Sequence, residues 1–362
     1  MSSHGVPRSA TAANRSQETR QKELQKIEEY KNLVSHVLKK RREHDCSKEA
    51  LDKVSELLVK NPEYYTIWNY RRQILQHMFS LAVHSDRVGR LIQEDLEFLF
   101  PLLKQFPKCY WIWNHRIWIL EQATQRLTAA NARRLWQQEL VLVSKMLSLD
   151  SRNFHGWGYR RFVVAALESL SSEASGDEGD APVAGKRDSI AKNELDYTAK
   201  MIGTNLSNFS AWHNRSQLIL KILNERSASD EDRQKMLDDE LRLIHRALID
   251  PYDQSLWFYH QYLMCTFDPT RAAESMAPNL KDAQRIEYLT REIDAIKEIL
   301  EEEGDCKWIY QALIECTMLV SKLDGPLSDG VKHDISSWLS QLKRLDPLRM
   351  GRWEDLQKSI ST

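Results

Sequence analysis

Tryptophan recurs at a nearly constant interval along this 362-residue chain, and that regularity constrains the fold more than any other feature. Spacings of 45, 44, 55, 45, 51 and 45 residues separate seven of the eleven tryptophans, namely Trp68, Trp113, Trp157, Trp212, Trp257, Trp308 and Trp353. The longest spacing contains a polar insertion, so the underlying period is 44 to 45 residues. A fixed period of this length is the signature of a repeat architecture, in which each repeat is one supersecondary unit.

Each repeat is interpreted as a pair of amphipathic helices. In the first copy, Trp68, Arg71, Arg72 and Leu75 stand at positions i, i+3, i+4 and i+7, which lie on one face of a helix. A second amphipathic stretch precedes the tryptophan helix, and neither helix alone can bury its apolar stripe. The sequence therefore predicts an all-α fold, a crescent-shaped α-solenoid of stacked antiparallel helical hairpins.

Two further positions of the repeat have a structural interpretation. Proline stands six residues before the tryptophan in several copies, as Pro62 does before Trp68. Where Asn or Asp precedes the proline, the pair is typical of an N-cap and the first helical position, so the second helix is predicted to begin at the proline. The arginine three residues after the tryptophan is expected to stack on the indole and to pair with a carboxylate of the neighbouring repeat.

The parts outside the repeats are polar. Residues 1–20 are predicted to form a flexible N-terminal arm, and residues 21–362 a single helical repeat domain. Residues 171–187 are rich in Ser, Gly and Asp and are predicted to be a disordered insertion between repeats.

Composition excludes several classes of function. A net charge of −1 provides no general attraction to nucleic acid or to an anionic membrane surface. No apolar run approaches the roughly 18 residues that a membrane-spanning helix needs. Five unclustered cysteines favour reduced thiols in an intracellular protein. We therefore expect a cytoplasmic chain with no nucleic-acid partner and no membrane span.

The chain has no motif for a metal, a nucleotide or a hydrolase nucleophile, so candidate chemistry lies in the positions where the repeats differ. The residue after the proline position is a cation only in the second and third copies, as Lys108 and Arg152. Tyr110 and Phe154 follow two residues later, and the third copy adds His155. These residues are predicted to occupy the first turn of adjacent helices, where unpaired backbone N–H groups favour anions. They are compatible with a phosphate-binding cluster or with a set of surface salt bridges.

The pattern P-x-x-Y-x-x-W-x-x-R-R, repeated with a period of about 45 residues, resembles the protein prenyltransferase α-subunit repeat family. The resemblance covers residues 50–362. The segments DPYDQSLWFYH (250–260) and RNFHGWGYRRF (152–162) are similar to the branch formed by the α subunits of Rab geranylgeranyltransferase, the type II enzyme, and so is His4-Gly5 near the start. The chain length leaves no room for the additional domains of the animal subunits, which implies the compact fungal type.

The resemblance implies a transferase that is active only as a heterodimer. In such an enzyme the α subunit wraps a β subunit, which holds the zinc, so this chain itself is expected to hold no zinc. The complex transfers geranylgeranyl from geranylgeranyl diphosphate to C-terminal cysteines of Rab GTPases, which a Rab escort protein presents.

The resemblance also implies roles for individual residues. Lys108, Tyr110 and His155 match the positions that face the diphosphate at the subunit junction and stabilise its charge. His4 is a candidate to reach the zinc of the partner. Two alternatives remain open: an α subunit shared by farnesyltransferase and the type I geranylgeranyltransferase, or a non-catalytic helical-repeat scaffold such as the tetratricopeptide proteins, whose period is nearer 34 residues.

Overall fold

Helices are the only regular secondary structure in the part of the chain that the computed structural model describes, which is residues 17–82, 84–173 and 183–361. The side chains of residues 171–189 are not described either. The all-α prediction is confirmed. The chain divides into two compact units, residues 1–187 and 188–362, where the sequence predicted a single repeat domain.

The first unit consists of an initial helix and three helical hairpins. Within each hairpin the two helices pack against each other, and the second helices α3, α5 and α7 also pack side by side. The helices are α1 (Gln17–Arg42), α2 (Lys48–Lys60), α3 (Tyr65–Ser80), α4 (Ser85–Gln105), α5 (Tyr110–Arg126), α6 (Ala129–Leu149) and α7 (Phe154–Glu173).

The second unit repeats the same arrangement. The second helices α9, α11 and α13 pack in a row, and α10, α12 and α14 each pack on the second helix of their own hairpin. The helices are α8 (Val183–Thr204), α9 (Phe209–Glu225), α10 (Asp230–Ala247), α11 (Gln254–Met264), α12 (Asp282–Glu302), α13 (Lys307–Asp324), α14 (Asp329–Leu345) and α15 (Met350–Ser361). Short 3₁₀ helices occupy Cys265–Phe267, Pro269–Glu274 and Pro347–Arg349.

The boundaries of both polar segments differ from the sequence prediction. Helix α1 begins at Gln17, so the last four residues of the predicted 1–20 arm are helical. Helix α7 continues to Glu173 and helix α8 begins at Val183, so both ends of the predicted 171–187 insertion are helical. Composition does not show where these helices end, because polar residues can continue a helix as long as its backbone hydrogen bonds are made. His4 lies outside the described residues.

A buried indole lies at the start of the second helix in the first five hairpins. The tryptophan is the fourth residue of the helix, and its Nε1 donates a hydrogen bond of 2.6–2.9 Å to the carbonyl of the residue six positions earlier. This holds for Trp68, Trp113, Trp157, Trp212 and Trp257, each of which is at most 4% exposed. The bond satisfies a donor that would otherwise be buried at a cost of about 1–3 kcal/mol.

The sixth hairpin keeps this bond but changes the residue. Tyr310 is the fourth residue of α13, and its hydroxyl donates to the Gly304 carbonyl, six positions earlier, at 2.8 Å. Trp308, on which the sequence centres this copy, is the second residue of the helix and packs edge-on against Phe258. The equivalent of the other tryptophans is therefore two residues later than the sequence places it.

Prolines precede the second helices but do not begin them. Pro107 occupies the second position of a β-turn that the Cys109 N–H closes on the Phe106 carbonyl at 3.0 Å, and helix α5 begins only at Tyr110. Where Asn or Asp precedes the proline, helix α3 begins three residues after Pro62 and helix α11 three residues after Pro251, so the predicted helix start is wrong there. Before α15 the prediction holds for a 3₁₀ helix, in which Asp346 is the N-cap and Pro347 the first residue. Proline suits the turn equally well, because its φ near −65° is that of the second residue of a type I turn.

The predicted ion pairs between hairpins are confirmed, whereas Arg71 lies over the Phe98 ring, 4.0 Å from its centroid, where the sequence predicted stacking on the tryptophan. Three buried arginines, each three residues after a tryptophan, lie 2.6 Å from a buried carboxylate on the first helix of the next hairpin; the pairs are Arg71–Asp95, Arg116–Glu139 and Arg215–Glu240. Each carboxylate also accepts a hydrogen bond from the second helix of its own hairpin, the donors being His115, Tyr159 and Tyr259. One carboxylate thus joins three successive helices. Burial would raise the pKa of Asp95, but Arg71 and His115 outweigh it and hold the pKa at about 2.

Candidate functional site

The candidate residues lie in the first unit, at the edge where the second helices begin. Two β-turns stand next to each other there, Phe106–Cys109 before α5 and Asp150–Asn153 before α7. The third residue of each turn is an exposed cation, Lys108 in one and Arg152 in the other. Lys108 therefore lies two residues before its helix, and not in the first helical turn as the sequence predicted.

The two turns are held together through the Pro107 carbonyl. It accepts the Trp113 indole N–H at 2.9 Å and the Asn153 side-chain amide at 3.0 Å. The Cys109 thiol makes the corresponding contact to Pro62 of the preceding turn at 3.5 Å, and burial raises the pKa of that thiol to about 11. Cys109 and Asn153 therefore occupy equivalent positions, and each bonds its own turn to the turn before it.

Tyr110 is the first residue of α5, and His155 is the second residue of α7. Their ring centroids are 6.1 Å apart, and Phe154 packs on His155 at a centroid distance of 4.0 Å. Trp111 lies edge-on to Tyr110 at 5.3 Å. The structure thus brings Tyr110 and His155 onto one partly exposed aromatic surface.

The electrostatics of this surface centre on Lys108. Its side chain is 65% exposed, and its Nζ lies 3.9 Å from the Asp150 carboxylate, a separation at which water screens most of the attraction. Burial lowers the pKa of His155, Glu63 opposes that shift, and Lys108 adds to it. The imidazole is consequently neutral at pH 7 and can donate through one ring nitrogen. Lys108, His155 and Glu63 are close enough to influence one another.

The backbone at the start of α7 is already bonded. Asn153 Oδ1 accepts the N–H groups of His155 at 3.0 Å and Gly156 at 3.3 Å. The expectation that unpaired backbone N–H groups would bind an anion is wrong for these two.

Gly156 allows the first turn of α7 to lie close to α6. A Cβ at this position would stand 3.0 Å from Leu147 Cδ2, closer than real Cβ atoms normally approach another atom.

Sequence reasoning proposed the three side chains as candidates but missed the residues that position them. Asp150 and Asn153 stand three positions apart in the turn, and the only local signal is that Asn and Asp favour such turns. Glu63, which stands after the proline in the first copy, was not among the predicted site residues. No group of three or more His, Cys, Asp or Glu side chains in the described ranges is arranged to hold a metal. Among the described helices, none combines the length and apolar character that crossing a membrane requires.

Comparison with known proteins gives the family. The model of the protein prenyltransferase alpha subunit repeat matches residues 47–78, 92–123, 136–167 and 191–222, which fall on the first four hairpins. The chain is 37% identical to the geranylgeranyl transferase type-2 subunit alpha of Schizosaccharomyces pombe, over 99% of this chain and 98% of that protein. It is 34% identical to the subunit of the same name from Saccharomyces cerevisiae, over 97% of both chains.

The human subunit of that name is 32% identical over 74% of this chain but only 43% of its own length. The chain therefore corresponds to the whole of the two yeast proteins and to part of the human one. On repeat architecture and on full-length identity, the chain belongs to the protein prenyltransferase alpha subunit repeat family, among the geranylgeranyl transferase type-2 alpha subunits.

Proposed function

We propose that this chain is the α subunit of a heterodimeric protein geranylgeranyltransferase. The complex transfers geranylgeranyl from geranylgeranyl diphosphate to C-terminal cysteines of Rab GTPases, which an escort protein presents. In this proposal the chain covers a zinc-bearing β subunit and contributes Lys108, Tyr110 and His155 to the diphosphate site. The observation that carries the proposal is the placement of these three side chains on one edge of a chain that matches two yeast type-2 alpha subunits over nearly their full length.

The exposed side chains of that edge support a protein partner. In the first unit, Tyr65, Tyr110, Leu149 and Phe154 are 54–73% exposed, and all four lie where first helices end or second helices begin. The equivalent edge of the second unit exposes Ile249 and Tyr252 among others. Apolar side chains clustered in this way on a soluble domain mark an interaction surface.

The three candidate residues act electrostatically in the proposed reaction. The substrate cysteine reacts as the thiolate, after its proton is released to solvent. Its sulfur bonds to C1 of the isoprenoid while the C1–O bond breaks, and the diphosphate leaves with the electron pair. Negative charge on the diphosphate is greatest in the transition state, so a fixed cation stabilises that state more than the bound substrate. Lys108 supplies the cation, while the Tyr110 hydroxyl and the His155 N–H supply hydrogen bonds.

Zinc does not fit the described part of this chain, which brings together no set of three candidate ligands. We therefore assign the zinc to the partner and derive no step of the reaction from it. His4 stays a candidate ligand from outside the described residues.

The proposal is tested by co-expressing the chain with the β subunit of a type-2 enzyme. The purified complex is supplied with geranylgeranyl diphosphate and a Rab–escort complex, and mass spectrometry of the Rab counts the prenyl groups. The alternative is tested in parallel with a farnesyltransferase β subunit, farnesyl diphosphate and a peptide substrate. Transfer to the Rab by the first complex is the expected result. Transfer by the second complex alone would make the chain the shared α subunit, and transfer by neither would make it a scaffold.

A further inference from the structure

The second residue of the second helix carries a large ring in only two of the first five hairpins. In chain order the residues at this position are Thr66, Trp111, His155, Ser210 and Ser255. The same two hairpins carry the cations Lys108 and Arg152 in the turns before these helices. His155 already has a role in the proposed prenyl transfer, whereas Trp111 has none.

Trp111 and His155 make the same pair of ring contacts. Trp111 contacts the first residue of its own helix, Tyr110, and the first residue of the preceding second helix, Tyr65, each at a centroid distance of 5.3 Å. His155 likewise contacts Phe154 of its own helix at 4.0 Å and Tyr110 of the preceding one at 6.1 Å. The five rings therefore form one row across three neighbouring turns, in which Tyr110 stands between Trp111 and His155.

The direction of the Tyr110 ring depends on these contacts. Tyr110 is 54% exposed, and its hydroxyl makes no hydrogen bond to another described residue. Trp111 is half-buried, and its ring plane stands at 83° to that of Tyr110, which is a preferred arrangement for two aromatic rings. The Trp111 ring is supported in turn by Tyr65 of the preceding hairpin.

We propose that Trp111 is a positioning residue for prenyl transfer, which holds the Tyr110 ring so that its hydroxyl points at the departing diphosphate. This role rests on the proposed function, because Trp111 acts only through Tyr110. A hydrogen-bond donor that is already oriented when charge develops stabilises that charge without reorganisation. Because misplacement of a reacting group by roughly 1 Å can slow a reaction substantially, loss of the Trp111 ring is expected to lower the rate of the chemical step.

The test is single-turnover prenyl transfer by the assembled heterodimer, with geranylgeranyl diphosphate bound beforehand and a Rab–escort complex added. Trp111→Ala is expected to slow the reaction by about ten-fold, as Tyr110→Phe is, because each variant loses one hydrogen bond to a charged oxygen. Trp111→Phe keeps a ring against Tyr110 and is expected to stay within about two-fold of the wild-type rate. The affinity for geranylgeranyl diphosphate is expected to be unchanged in Trp111→Ala, because the bond is made mainly in the transition state.

The double variant of Trp111→Ala with Tyr110→Phe distinguishes positioning from general structural support. If Trp111 acts through the Tyr110 hydroxyl, the double variant is no slower than Tyr110→Phe alone, whereas independent effects would multiply to about a hundred-fold. A hundred-fold loss would overturn the positioning role, and so would a wild-type rate for Tyr110→Phe. Should Trp111→Ala fail to assemble, Trp111→Leu keeps an apolar side chain without a ring and serves the same comparison.

The matched control is Trp338→Ala, which removes a half-buried tryptophan from the middle of α14, where it packs on an apolar cluster of the second unit. We expect it to retain the wild-type rate, and a loss equal to that of Trp111→Ala would refute the assignment. A wild-type rate for Trp111→Ala, with Lys108→Ala slow in the same assay, would overturn the role of Trp111 alone. Absence of transfer by the wild-type heterodimer would overturn the proposed function and the role of Trp111 with it.

Discussion

Replacement of Lys108 by alanine separates chemistry from folding. The lysine lies in a turn, its side chain is 65% exposed, and among the described residues its ion-pair contact is Asp150 at 3.9 Å. Exposed pairs of this kind contribute about 0–1 kcal/mol, so the free energy of unfolding should change by no more than that. In the assembled enzyme the same charge would face a departing diphosphate. Loss of one such group costs about 2–4 kcal/mol, or roughly 10²–10³ in rate, by analogy with oxyanion-hole donors.

The assay is single-turnover prenyl transfer by the heterodimer, with geranylgeranyl diphosphate bound beforehand and a Rab–escort complex added. The matched control is Lys104→Ala, which removes an exposed lysine from the end of α4. We expect the control to retain the wild-type rate, and both variants to assemble and melt as the wild type does. A wild-type rate for Lys108→Ala would refute the reasoning, since the lysine would then be a surface residue. A slow Lys104→Ala variant would show that any loss of charge on this edge suffices.

Three other perturbations have defined outcomes. Tyr110→Phe and His155→Ala each remove one hydrogen bond while the cation remains, so the single-turnover rate should fall by less than it does for Lys108→Ala. Arg116→Met should lower the free energy of unfolding by about 3–5 kcal/mol in urea titrations, because it leaves the buried Glu139 carboxylate without its cation; unchanged stability would show that the pair is dispensable. Burial raises the pKa of the Glu292 carboxyl, but hydrogen bonds from two histidines outweigh it and hold the pKa at about 2. The ionised carboxylate therefore contributes on the order of 3 kcal/mol to the free energy of unfolding. This contribution is present above pH 4.5 and is lost as the pH falls towards 2. Unfolding titrations of the wild type and Glu292→Gln at about pH 6 and about pH 3 test this, and equal losses in the two would contradict it.

The hairpin repeats and their tryptophans could be predicted because they obey a period. Because the hairpins bury a tryptophan at the same position, tryptophan recurs at a regular interval in the sequence. The helical spacing of the residues after it identifies the buried face of the helix. The arginine ties followed from the same spacing. Their carboxylate partners did not, because α4 carries Glu94, Asp95 and Glu97 within four residues. Only the rotation of α4 against its neighbours decides that Asp95 meets Arg71.

The start of the second helices was mispredicted for a different reason. A proline after a cap residue and a proline in a type I turn have the same φ, so the local sequence suits both. The long-range requirement decides between them. The Pro107 carbonyl must face the Trp113 indole and the Asn153 amide, and the turn allows both bonds. The sixth copy shows the same limit, since only the bond from Tyr310 to Gly304 reveals that tyrosine has replaced the tryptophan.

The bonds that stack the hairpins also prepare the candidate site. Lys108 follows directly after Pro107, whose carbonyl is fixed by one bond from its own helix and one from the next turn. Asn153, which makes the second of these bonds, also fixes the N–H of His155. The backbone beneath Lys108 and His155 is therefore set by the buried repeat lattice, although both side chains reach the surface. A donor set that needs no rearrangement when charge develops stabilises that charge most effectively. In the proposed reaction, this shared anchoring is what would let a repeat built for stacking present a cation, a phenol and an imidazole to one diphosphate.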